Sequence, residues 1–80
     1  MKVVRSINEL TKFLNEISVH GSCGGEFKFK ILRKDMLMLT EVPRQALANN
    51  LSIIDIKDVS DGFIITIIKR FGKGCREGCR

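Results

Sequence analysis

Hydrophobic and polar positions alternate most clearly near the end of the chain, in "SIIDIKDVSDGFIITIIKRF". Two β-branched runs flank Asp61-Gly62, a pair suited to a tight hairpin with positive φ at its turn. The second run is apolar on both faces, with Phe63, Ile65 and Ile67 on one and Ile64 and Ile68 on the other. An edge strand normally carries charge or proline on one face, so this run predicts a central strand. Upstream, "EFKFKILR" sets Phe27, Phe29 and Ile31 against Lys28 and Lys30, the period of a half-buried strand. "MKVVR" predicts a short first strand with Val3 and Val4 as its apolar content.

Between these runs the period changes to that of a helix. Ile7, Leu10, Leu14 and Ile17 share a stripe that Phe13 widens. Ser6 and Glu9 have capping-box spacing at its start, and His20-Gly21 stops it. "KDMLMLTEVPRQALANN" predicts a second helix, with Pro43 in its first turn and Thr40 as its cap. "MLML" before it fits a turn, an earlier helix start or a short return strand. The order is β-α-β-α-β-β, a two-layer α/β sandwich with a four-stranded mixed sheet and two helices on one face. Residues 1–71 form a single domain and 72–80 a basic tail.

Composition narrows the class. The 80 residues are 44% hydrophobic and 29% charged, which fits a globular chain and not a disordered one. No apolar run approaches the roughly 20 residues that span a bilayer. The opening lacks a secretory h-region, so a cytoplasmic protein without membrane contact is expected. Charge is unevenly spread within the net +5. From residue 69 onward Lys69, Arg70, Lys73, Arg76 and Arg80 face only Glu77, whereas the first 68 residues hold nine basic and eight acidic groups. The basic end suits phosphates, an acidic partner surface or plain solvation.

The stretches "GGEFKFKILRKD" and "LTEVPRQALANNLSIIDIKDVSDGFIITIIKR" resemble the small sulfur-carrier family of TusA and SirA. The shared features are the glycine-acidic opening of the second strand, the Glu41-Val42-Pro43 step and the closing hairpin. The resemblance covers residues 24–70, with the first helix matched loosely. It implies a sheet in the order 1-2-4-3, the last strand antiparallel to the rest. The family's chemistry rests on a Cys-Pro-x-Pro motif at the start of the first helix, where the dipole favours a thiolate. Here that region is "VVRSINEL", with neither cysteine nor proline, so no functional residue carries over.

The implied strand order has a consequence for the three cysteines. The entrance to strand two, "HGSCGG", would neighbour the exit of strand four, "GKGCREGCR", gathering His20, Cys23, Cys75 and Cys79 at one end of the sheet. Four such donors match the number a tetrahedral zinc site takes. Alternatively, Cys75 and Cys79 among Lys73, Arg76 and Arg80 form a thiol pair whose thiolates the cations favour. Such a pair can carry a persulfide or close a disulfide with Cys23. In the plainest reading Cys23 is a packing residue, His20 an exposed helix end and the tail a solvated extension.

Hydrolytic catalysis has no support, since the lone His20 has no triad context and no phosphate-binding loop precedes a helix. No enzyme activity beyond thiol or sulfur carriage is expected, and no cofactor other than zinc. The expected function is that of a divergent sulfur-carrier-like accessory protein. It would bind a protein partner, or a second copy, through the sheet face that strand four makes apolar. The alternative is nucleic-acid binding through the basic tail, with Lys28, Lys30, Arg33 and Lys34 as a second strip. The architecture also resembles the RNA-binding C-terminal domain of bacterial initiation factor 3. Against this, the chain has no Tyr or Trp, and Phe13, Phe27, Phe29 and Phe63 are better explained as core than as base-stacking platforms.

Overall fold

The computed structural model describes residues 1–70. The elements run β1 (Lys2–Val4), α1 (Ile7–His20), β2 (Glu26–Leu32), a 3-10 segment (Arg33–Thr40), α2 (Val42–Ala48), β3 (Leu51–Val59) and β4 (Gly62–Lys69). The four strands form one mixed sheet in the order β1-β2-β4-β3. β1 is parallel to β2, and β4 lies antiparallel between β2 and β3. The apolar doubling of β4 thus marks a central strand, as its sequence predicts.

Register explains how each strand divides. Phe29 pairs with Ile65 and Ile31 with Phe63 across β2 and β4, while Val4 of β1 stands opposite Ile31. These residues face the helices. Val4, Phe29, Ile31, Ile65 and Ile67 join Leu10, Leu14 and Ile17 of α1, and Val42 and Ala46 of α2, in one buried core. Phe13 packs edge-on against Phe29, with ring centroids 5.4 Å apart. Phe13, Phe27 and Phe63 border the same cluster, so all four phenylalanines of the described residues serve the core side. Ile7, at the head of the predicted stripe, is exposed.

Local chemistry sets the boundaries. The Glu9 N–H donates to Ser6 Oγ (3.2 Å), and α1 begins there. The second helical region differs from its prediction. Arg33–Thr40 is 3-10, broken at Asp35, whose φ/ψ is non-helical. Thr40 does not cap α2: its hydroxyl donates backward to the Leu37 carbonyl (2.9 Å), and Glu41 takes the cap position without a side-chain bond. Pro43 does sit in the first turn of α2. Asn50, at φ 59°, turns the chain from α2 into β3.

The β3–β4 hairpin also corrects its sequence reading. Val59 pairs with Gly62, leaving Ser60 and Asp61 as the loop, and neither Asp61 nor Gly62 has positive φ. Gly62 is needed because β4 passes very close to β2. A Cβ there would lie 2.3 Å from the Ile31 carbonyl oxygen and 3.0 Å from Leu32 Cα. Those are backbone atoms and cannot swing aside. Asp61 instead anchors the loop: it pairs with Lys30 Nζ (2.6 Å), and its carbonyl accepts from the Arg33 N–H (2.9 Å). Arg33 adds an ion pair to Asp58, a bond to the Val59 carbonyl (2.6 Å) and a position 4.9 Å over the Phe63 ring.

Candidate functional site

Of the residues singled out for chemistry, His20, Cys23, Lys69 and Arg70 stand at the end of the sheet where α1 finishes, β2 begins and β4 leaves. His20 is the last residue of α1 and is exposed. Gly21 through Gly25 then form the loop into β2, with Gly24 at φ +83°. The positive φ lets the Gly24 N–H turn toward β4, where it donates to the Lys69 carbonyl (2.7 Å). Lys69 N–H returns a bond to the Gly25 carbonyl (3.3 Å), one step beyond the Glu26–Ile68 pair. The loop that holds Cys23 is therefore tied to the last residue of β4. Cys23 is half-buried and its sulfur is disulfide-bonded.

Lys69 departs from its expected role. Grouped by sequence with the cations of the basic end, it is wholly buried, and its Nζ donates to the Gly21 carbonyl (3.1 Å). That ammonium sits at the C-terminal end of α1, where unpaired carbonyls concentrate negative potential. It ties β4 to α1 and is not presented to a nucleic acid or partner. Arg70 is exposed at the same end. Lys73, Cys75, Arg76, Cys79 and Arg80 lie outside the described residues.

Two shallow depressions adjoin this corner, and His20 borders both. One, of about 400 Å³, is lined by apolar Phe13, Ile17 and Phe27 and by polar Lys2 and Glu16. The other is lined by Lys12, Asn15, Glu16, Val19 and His20, side chains of α1 alone. Among the described residues no three His, Cys, Asp or Glu side chains are placed to hold a metal ion. Of the four donors considered for zinc, the fold places His20 and Cys23 on one corner, and the other two lie beyond residue 70.

The sheet face away from the helices is the other candidate surface. Register lays Ile64 between Lys30 and Lys57, Thr66 between Lys28 and Asp55, and Ile68 between Glu26 and Ser52. Ile64 and Ile68 are half-buried and Thr66 is buried. The apolar surface is thus a ridge one strand wide, flanked by charged side chains of both signs. Lys30 is committed to Asp61 and Arg33 to Asp58, so the second basic strip is partly neutralised. With Phe29 fully buried and the other three described rings packed on the core, this face offers no aromatic platform for bases among the described residues. Sequence periodicity assigns Ile64 and Ile68 to this face but gives no sign of the Lys69 anchor or the Gly24–Lys69 tie.

The start of α1, where a carrier of the resembled family holds its thiol, is occupied by Ser6 as a cap. No protein-family model, no curated protein and no solved structure matches the chain. Among the described residues no helix is long and apolar enough to cross a membrane.

Proposed function

We propose that this domain is a divergent carrier of the TusA/SirA kind that acts by docking to a protein partner and bears its thiol chemistry on Cys75 and Cys79. The observation that carries the reading is the tie between the Cys23 loop and the end of β4, through Gly24 N–H to the Lys69 carbonyl at 2.7 Å. Arg70, the last described residue, stands at that corner with Cys23, which is engaged in a disulfide. The strand order that the resemblance implies is the order found, which supports the shared fold. The ridge of Ile64 and Ile68 supplies the partner face, since a half-buried aliphatic strip rimmed by charges is typical of a surface that docks reversibly.

The chemistry is sulfane transfer. A tail thiolate, favoured by Lys73, Arg76 and Arg80, attacks the outer sulfur of a donor persulfide. A new S–S bond forms, the donor leaves as its thiolate, and no external oxidant is consumed. The test is intact mass of the reduced protein after incubation with a cysteine desulfurase and cysteine. One added sulfur atom, mapped to Cys75 or Cys79 and absent from the Cys75→Ser/Cys79→Ser variant, is expected. A reduced protein that gains no sulfur on either tail cysteine overturns the reading.

A further inference from the structure

The two edges of the sheet are unequal. β1 closes one with three residues, whereas β3 leaves nine residues, Leu51–Val59, along the other. A long strand whose outer side has no neighbour among the described residues exposes a row of backbone donors and acceptors. This one also exposes aliphatic surface: Ile54 is 43% and Ile56 is 50% exposed. Between and beside them stand Asp55 and Lys57, both exposed, and neither enters an ion pair among the described residues. Asp55 pairs with Thr66 and Lys57 with Ile64, so both project from the open face, while Ile56, opposite Ile65, projects toward the helix side.

We propose that a second copy of this chain adds to β3, antiparallel and edge to edge, with Ile56 of each copy facing Ile56 of the other. A two-fold axis perpendicular to the sheet then sets Asp55 of each copy opposite Lys57 of the other, twice over. Opposite charges directly across an antiparallel pair stabilise it, and like charges oppose it. The same charges select the register. Because facing residues must share a face, allowed slips come in steps of two. One such slip brings Asp55 against Asp55, and the opposite slip brings Lys57 against Lys57. Only the register centred on Ile56 satisfies both ion pairs, and it also shields Ile56 of each copy on the helix side.

The irregularity between Ile53 and Asp55 interrupts the strand on one side of the contact and keeps it short. The interface therefore falls below the roughly 800 Å² per partner of a standard complex, and the dimer forms reversibly at high protein concentration. The pairing is independent of any sulfur chemistry. It also leaves the Ile64–Ile68 ridge of each copy open, the two ridges separated by the paired β3 strands.

Sedimentation velocity on the full chain over a concentration series tests the proposal, with non-reducing gels used to discount disulfide-linked species. Wild type is expected to show a concentration-dependent dimer. Asp55→Lys and Lys57→Asp each replace two attractive pairs by two repulsive ones and should weaken it about tenfold or more. The discriminating sample is an equimolar mixture of these two single variants, in which opposite charges again face each other and a heterodimer should appear. Asp55→Lys/Lys57→Asp in one chain should restore the homodimer. A wild type that stays monomeric at its highest soluble concentration overturns the proposal. So do single variants that associate like wild type, or a mixture that stays monomeric while both variants keep wild-type thermal unfolding. The last outcome would assign any wild-type association to another surface.

Discussion

Gly62 shows how one residue can be identified correctly in a sequence for a reason the structure replaces. Asp-Gly between two β-branched runs points to a turn needing positive φ, yet Gly62 is already the first residue of β4. Its missing side chain matters because β2 backbone occupies the space, with the Ile31 carbonyl 2.3 Å from where a Cβ would stand. Gly62→Ala should therefore cost about 1–3 kcal/mol, the range of an overpacked site, measured by urea unfolding. A change of only a few tenths would mean that β2 and β4 separate easily there. Next to it, Asp61 is a polar turn residue by sequence and an ion-pair partner by structure. Its bond to Lys30 holds the carboxyl below the ordinary aspartate range. The stabilisation is complete above that ordinary value and is lost as pH falls through it toward the lower folded value. Between about pH 5 and pH 2 wild type should lose more stability than Asp61→Asn, followed by thermal unfolding at each pH. Parallel losses would remove Asp61 from the acid response.

At the scale of elements, α1 is the most legible part of the sequence. Its cap, its buried positions Leu10, Leu14 and Ile17, and its stop at Gly21 all follow from spacing and side-chain chemistry within a few residues. Ser6→Ala should cost about 1 kcal/mol by removing the acceptor for the Glu9 N–H, read as a lower midpoint in urea with unchanged slope. No loss would show that solvent satisfies that amide equally well. The 3-10 segment is the least legible part. "MLML" has the apolar content of a strand or a helix, but only Met38 is buried, and Met36 and Leu37 remain exposed. What fixes the segment is its connection: β2 ends on one layer, and α2 must begin on the other, after nine residues. Propensity says little where the path is set by the distance between two anchors.

The whole molecule decides which of its surfaces can act. Placing β4 between β2 and β3 gives the open face an aliphatic ridge, leaves β3 as a long edge and ends β4 beside the Cys23 loop. Each candidate activity uses one of these products: carriage at the corner, docking on the ridge, self-association at the edge. They are separable because the tests read different atoms, sulfur on Cys75 or Cys79 in one case and paired charges at Asp55 and Lys57 in the other. The sequence by itself determined the four strands and α1, the four core phenylalanines and the central position of β4, because periodicity and burial on both faces are written in adjacent residues. Tertiary structure alone decided that Lys69 turns inward to Gly21 and that Gly62 is squeezed by Ile31. It also decided that Asp55 and Lys57 stand on an edge, in no ion pair among the described residues. For Lys69 and Gly62 the neighbour that gives the residue its role lies tens of positions away, where no local pattern reaches.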